Sequence, residues 1–420
     1  MNKMARINIF NINHNPNRPK AYRLKWTIDN RHKSRSFKSL GEAEKFKRKL
    51  EQALEDGHNF DPNSGLPDQW VQQLRGFADV ASEYASTKWH EWAAGSKSQF
   101  CDSNAVVVYE LIRPKFKEKY DRKETLKVIR NNILNQNNLK ITDKEKEIKE
   151  HVLENSYRLK EITPEIITKT IANISILIGG KVASRDTQRK RKQTLGAVID
   201  YAYRHRYVND NAFKRVKTKP ISNLTSVDPF TTLTPDQCRS ITQMLRNRAK
   251  TKRGYYMESA NFLDFIWLAG LRPSEVAGLQ KKHINIYKNG KTSFIKVEQA
   301  VVSIGTMYTK DGTSQEHKGL KAREKQVFRT VPILAELMPI VENVIEGKEK
   351  DDFLFTSPRD KKKPVKTDLI LDYFREVCTT KSTPYDMRHT NASILIYAGL
   401  NVIEVANRLG NSIEVCQKVY

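Results

Sequence analysis

The stretch 383-TPYDMRHTNASILIYAGLNVIEVANRLGNSIEVCQKVY-420 closes the chain. Arg388 sits in a polar cluster, an apolar helical run follows, a tight Leu-Gly-Asn turn comes at 409–411, and the last residue is a phenol, Tyr420. A tyrosine so placed can be a nucleophile toward phosphate. Upstream, Arg272 lies in LAGLRPSEVAGLQ, directly after a buried apolar helix that can aim it inward. Two arginines held by rigid surroundings can clamp the non-bridging oxygens of one phosphate, because each planar guanidinium presents paired donors. Either one alone, at a helix start, more often makes a structural ion pair, and Glu275 is at hand for Arg272.

Outside this region composition sets the class. A chain of 420 residues exceeds one compact core and predicts two or three domains. Lys and Arg total 74 against 48 acidic residues, a net charge of +26, and such a field favours a polyanion, nucleic acid first. No apolar run approaches the ~20 residues of a membrane-spanning helix, and the polar N-terminus lacks the features of a secretory signal. The expected location is the cytoplasm, with no membrane partner. Cys101, Cys238, Cys378 and Cys416 are scattered without a CxxC pair, which argues against a zinc site or a disulfide framework. Neither GxxxxGK[ST] nor GxGxxG occurs, so no cofactor is signalled.

Along the chain, AYRLKWTI sets Tyr22, Leu24, Trp26 and Ile28 against Arg23, Lys25 and Thr27, the alternation of a half-buried strand. DNRHK is read as the turn and SRSFKSL as the return strand. A helix with Ala43, Phe46, Leu50 and Ala53 on one face then ends before Gly57. Arg23, Lys25, Arg31, Lys33, Arg35 and Lys38 are read as one basic sheet face, which either lies in a DNA groove or is simply solvated; the overall charge favours DNA. FDPNSGLPDQW reads as a linker. From about 75 to 220 the signals are helical, with the polar stretch 117–151 either a long loop or a solvated helix. In RDTQRKRKQTLGAVIDYA, Arg189 and Arg191 lie on the basic side of a helix whose apolar side is Leu195, Val198, Ile199 and Ala202, and that basic side either grips phosphates or is merely solvated. After a second linker, Thr234 caps a helix starting at Pro235. A buried helix breaks at Gly270 and restarts at RPSEV, strands follow in NGKTSFIKVE, AVVSIG and KQVFRTVPI, and helices run to the end.

GLRPSE, a basic hairpin ending in RTVP, YDMRHT, LGNS and the final tyrosine together resemble the tyrosine recombinase (phage integrase) family, with Arg388, Asn411 and Tyr420 at intervals of 23 and 9 residues. The resemblance implies a multidomain, mainly α fold with small β-sheets: an arm-type DNA-binding domain at 1–65, a helical, SAM-like core-binding domain at 75–222, and an α+β catalytic domain at 228–420. It implies Arg272 and Arg388 as the phosphate clamp, Glu275 as supporting acid and Tyr420 as nucleophile. The general-acid lysine falls in HKGLKAREKQVFRTVP, with Lys321 indicated, Lys325 the alternative and Lys318 a weaker choice. Two positions depart from the pattern. Tyr385 stands where histidine is usual, and a phenol, with a pKa of about 10 against about 6.5 for imidazole, is the poorer general base. Asn411 stands at the second histidine or tryptophan position, where its amide can donate to a phosphate oxygen without moving a proton. His389 lies one position off the motif.

The implied activity is site-specific recombination of double-stranded DNA at attachment sites by an integrase of a phage or other mobile element. It proceeds through a 3′-phosphotyrosyl intermediate, with a tetramer on DNA and an accessory directionality factor. A recombinase-like protein that binds without cutting is the alternative, and a type IB topoisomerase shares the chemistry. Family members usually continue past the tyrosine, so the expectation is that the sequence is truncated.

Overall fold

The computed structural model describes residues 6–62, 64–73, 75–137, 139–217, 233–288, 290–319 and 328–419. It divides into two compact units, Met1–Ile221 and Ser222–Tyr420.

The first unit opens with an antiparallel sheet built on the strand Tyr22–Ile28, which pairs with Ile7–Ile9, Asn13–His14 and Arg31–Phe37. Leu24, Trp26 and Ile28 are buried, as their alternation predicts. The turn is shorter than DNRHK: only Asp29 and Asn30 occupy it, with φ of 42° and 66°. Two left-handed residues give a turn whose twist matches the flanking strands, so the return strand begins at Arg31. That register overturns the single basic face. Residues directly opposite each other share a face, and Arg31, Lys33 and Arg35 stand opposite Ile28, Trp26 and Leu24. They lie on the core side, where the Arg35 guanidinium sits 4.9 Å from the centre of the Phe46 ring. Arg23 and Lys25, opposite Ser36 and Ser34, share the other face.

The helix Leu40–Glu55 covers the core with Ala43, Leu50 and Ala53, and Ser39 caps it by accepting from the Glu42 N–H. FDPNSGLPDQW is not a free linker. Phe60 pairs with Pro67, Leu66 and Trp70 pack on the sheet core, and the Trp26 indole donates to the Gly65 carbonyl at 2.5 Å. Gly65 is required there: its φ is +74°, and a Cβ would stand 2.8 Å from the Trp26 indole nitrogen.

Helices Phe77–Lys88, Ala94–Glu110, Asp143–Asn155, Pro164–Ile174 and Arg185–Arg204 make up the rest of this unit, together with Arg122–Val128 running into the π-turn Ile129–Leu134. The polar stretch therefore holds two packed helices, which bury Val128, Ile129, Ile133 and Leu134 on one and Ile148 and Val152 on the other. Leu195, Val198, Ile199 and Ala202 are buried on the last long helix, as their spacing predicts.

In the second unit Thr234 caps the helix Pro235–Thr251, and the helix Tyr256–Ala269 is buried from Ser259 to its end. A three-stranded antiparallel sheet joins Ile284–Asn285, Phe294–Val297 and Arg329–Pro332, and a hairpin pairs Gln299–Ser303 with Gln315–Gly319. Helices Met338–Ile345, Thr367–Val377, Pro384–Tyr397, Val402–Leu409 and Ile413–Val419 complete an α+β, mainly helical body. Among the described residues no helix is long and apolar enough to cross a membrane.

Candidate active site

The site begins where the buried helix Tyr256–Ala269 stops. Gly270 takes φ +67°, and a Cβ on it would meet Asn391 Oδ1 at 2.4 Å. Only glycine turns the chain so tightly against the helix Pro384–Tyr397. Two residues on, Arg272 is the N-cap of the short helix Pro273–Ala277. Glu275 accepts from the Arg272 backbone N–H at 2.8 Å and from its guanidinium Nη1 at 2.9 Å, so one carboxylate caps the helix and orients the arginine.

Arg388 comes from the first turns of Pro384–Tyr397 and is fully buried. Its Nη1 donates to the Gly270 carbonyl. Its Nη2 donates to the Leu409 carbonyl at 2.6 Å and to Asn411 Oδ1 at 3.1 Å. Its Nε is buried without a partner. Arg272 reaches the same turn, with Nη2 on the Gly410 carbonyl at 2.9 Å and on Asn411 Oδ1 at 2.6 Å. The turn therefore brings the two guanidiniums to one acceptor. With its oxygen held by two donors, the Asn411 amide keeps its NH₂ group as the end that can donate.

Beneath the clamp lies a residue that sequence reading missed. Arg329, 5 % exposed, donates to both Glu275 oxygens, at 2.8 and 2.7 Å, and through Nε to the Arg408 carbonyl at 3.0 Å. Burial opposes ionisation of Glu275, but Arg329 first, then Arg272 and Arg388, hold its carboxyl down to about 2. Burial and the nearby Arg272 bring Arg388 down to about 10, still charged at neutral pH. Burial works against the Arg272 charge too, yet Glu275 outweighs it and raises the pKa.

Tyr385 is exposed on the same helix as Arg388, faces the Arg272 guanidinium, and meets His389 edge-on at 5.2 Å between ring centres. Burial lowers the His389 pKa. Arg272, Glu275, Tyr385, Arg388 and Asn411 thus converge. Lys321, Lys325 and Tyr420 lie outside the described residues. Lys318 sits on the strand Gln315–Gly319 opposite Ala300, its Nζ on Glu316 at 2.8 Å. In the first unit Arg189 pairs with Asp186 at 2.6 Å, while Arg191 donates to the Ile174 carbonyl at 2.6 Å and closes the end of a helix. The signal for Arg329 was in RTVP, a landmark for the hairpin whose arginine carries no mark of burial in the sequence itself.

A fully buried Arg388 and a half-buried Arg272 thus share one acceptor in a mainly helical multidomain fold with small antiparallel sheets. Residues 231–418 match the model described as "Phage integrase family". A "Tyrosine recombinase" of Pseudothermotoga lettingae is 25% identical over 266 residues, 62% of this chain and 78% of that protein. Among solved structures, the Tn1549 transposon integrase in complex with a circular intermediate DNA has a TM-score of 0.49 at 17% identity, covering 71% of this chain and 94% of its own. A lambda integrase dimer bound to a core site has a TM-score of 0.46 at 13% identity, covering 97% and 93%. Residues 231–418 thus match the phage integrase family, and the chain is similar to tyrosine recombinases.

Proposed function

We propose that this protein is a site-specific integrase of a phage or other mobile element, which cuts and rejoins double-stranded DNA at attachment sites. The observation that carries the reading is the convergence of Arg272 and Arg388 on Asn411 Oδ1, at 2.6 and 3.1 Å, beside the unpartnered Arg388 Nε. An anionic oxygen arriving there meets donors already aimed, with Arg388 already desolvated, an arrangement that stabilises charge developing in a transition state.

In this reading Tyr420 attacks the clamped phosphorus. A tyrosyl O–P bond forms and the P–O5′ bond breaks. The phenolic proton passes to a neighbouring acceptor, and the departing 5′ oxygen takes a proton from Lys321 or Lys325. The 3′-phosphotyrosyl link conserves the bond energy until the 5′-hydroxyl of a partner strand reverses the step, so no cofactor is called for. Residues 1–65 serve as the arm-type domain, with Arg23 and Lys25 on the sheet face turned from the core. Residues 75–222 bind the core site with Arg189 on the basic helix, and 228–420 carry catalysis. Four protomers assemble on two duplexes in the cytoplasm, and a directionality factor sets the outcome.

The test is a nicked suicide duplex carrying the candidate attachment site, incubated with the protein and resolved on a denaturing gel. A covalent adduct that disappears in Tyr420→Phe is the expected result. A bound duplex with no adduct would instead make this a recombinase-like DNA-binding protein.

A further inference from the structure

Arg329 opens the strand Arg329–Pro332, where it stands opposite Val297 in the three-stranded sheet. The sheet fixes its backbone, and the 409–411 turn is shaped to admit its side chain: Gly410, at φ +68°, would carry a Cβ only 3.0 Å from Arg329 Nη1. The guanidinium touches neither Asn411 nor the Gly270 carbonyl among its hydrogen bonds. Among the described residues, its hydrogen bonds reach the clamp through Glu275.

The charges explain why a third arginine is present. Arg272 and Arg388 supply two positive charges for phosphate, and Glu275, 2.9 Å from one and 3.8 Å from the other, cancels one of them. Arg329 lies 2.7 Å from the same carboxylate and restores it, so three cations and one anion leave a net charge of two. A phosphodiester carries one negative charge, and a tyrosinate nucleophile brings a second, so the demand at phosphorus rises on the way to the transition state. A buried Arg–Glu pair adds little to stability over an apolar pair of equal size. Beside the buried Arg388 and half-buried Arg272 guanidiniums, it does electrostatic work that an apolar pair cannot.

We propose that Arg329 is a positioning residue for strand cleavage: it neutralises and orients Glu275, so that Glu275 can hold Arg272 without drawing its charge away from the phosphate. The inference rests on the recombinase reading above. Arg329 acts through Glu275 on Arg272 and touches no reacting atom.

The experiment compares wild type, Arg329→Met, Arg329→Lys and the double variant Arg329→Met/Glu275→Gln. It measures the single-turnover rate of adduct formation on the suicide duplex at saturating protein, with duplex affinity and Tm measured separately. Arg329→Met, which leaves a net charge of one, is expected to slow adduct formation about 10²-fold with little change in affinity. The double variant removes both charges and returns the net charge to two, so it is expected to run at least about tenfold faster than Arg329→Met. A merely structural role gives no such rescue, because the second substitution only removes more contacts. Where Arg329→Met fails to fold, Arg329→Lys decides: it keeps the charge and is expected to stay within about tenfold of wild type.

A double variant no faster than Arg329→Met overturns the proposal. So does Arg329→Met cleaving at the wild-type rate, or Arg329→Lys losing 10²-fold or more (about the value of a whole donor) with affinity intact. A wild-type chain that forms no adduct overturns the recombinase reading instead, and the two failures are read from different lanes of one gel.

Discussion

Arg272 and Arg388, 116 positions apart in the chain, donate to one atom, the side-chain oxygen of Asn411, at 2.6 and 3.1 Å. Two cations meeting at a neutral oxygen leave their charge unspent. The turn that supplies the oxygen also supplies two backbone carbonyls, at Leu409 and Gly410, so the turn itself orients the donors with neutral acceptors.

Asn411→Asp should convert that neutral acceptor into a competing anion. Either arginine would then form a short ion pair with the new carboxylate, and a phosphate would have to displace it. Adduct formation should fall by about 10²-fold or more, and duplex affinity should fall with it. Asn411→Ala should spare affinity. Equal affinities for the two variants, from fluorescence anisotropy with a labelled duplex, would contradict this account.

Arg388→Lys should fold and bind DNA yet cleave about 10²–10³-fold more slowly. Lysine keeps the charge but cannot reach the Gly270 and Leu409 carbonyls and Asn411 together, since an ammonium lacks the planar fork. Single-turnover rates at saturating protein separate this from a loss of binding.

Glu275 gives the fold an acid limit. Its folded pKa, about 2, lies below its ordinary 4.5, so the ionised carboxylate contributes its full stability above about pH 4.5, and that contribution fades as pH falls toward 2. Glu275→Gln leaves the guanidiniums facing one another and should cost about 3–5 kcal/mol near neutrality. The gap in Tm between the two proteins should narrow from about pH 4.5 downward. A gap that stays constant into acid would show that the charge of Glu275 is not what stabilises the site.

Gly270→Ala should cost about 1–3 kcal/mol, because it combines a left-handed φ with a Cβ driven against Asn391. Asn391→Ala on top should recover only the part due to contact. Urea denaturation of the three proteins measures both parts. Full recovery would mean that the backbone angle carries no strain.

How much of this was legible in the sequence follows from what each residue's neighbours disclose. Arg272 and Arg388 stand at the mouths of apolar helices, so their inward aim could be argued before any coordinates. Arg329 could not be found that way. It stands between Phe328 and Thr330 at the start of a short strand, and the register with Val297 and the approach of Gly410 bury it. The basic sheet face failed for a related reason. Shortening the turn to Asp29 and Asn30 sets which residues of the return strand stand opposite Leu24, Trp26 and Ile28, and that puts Arg31, Lys33 and Arg35 on the core side. The stretch 117–151 hid its helices because charged residues surround the few apolar ones that pack. Gln315–Gly319 hid as a strand because all its residues are polar or glycine.

The hydrogen bond from the Trp26 indole to the Gly65 carbonyl moves the working edge of the N-terminal sheet past residue 65. A fragment cut there would lose Leu66 and Trp70 from its apolar side and leave greasy surface open to water. One carried on through Gln73 retains Leu66 and the helix that holds Trp70. Proteases drawn to this glycine- and proline-rich stretch would find backbone already fastened to a sheet, and the sites they cut first should lie elsewhere in the chain.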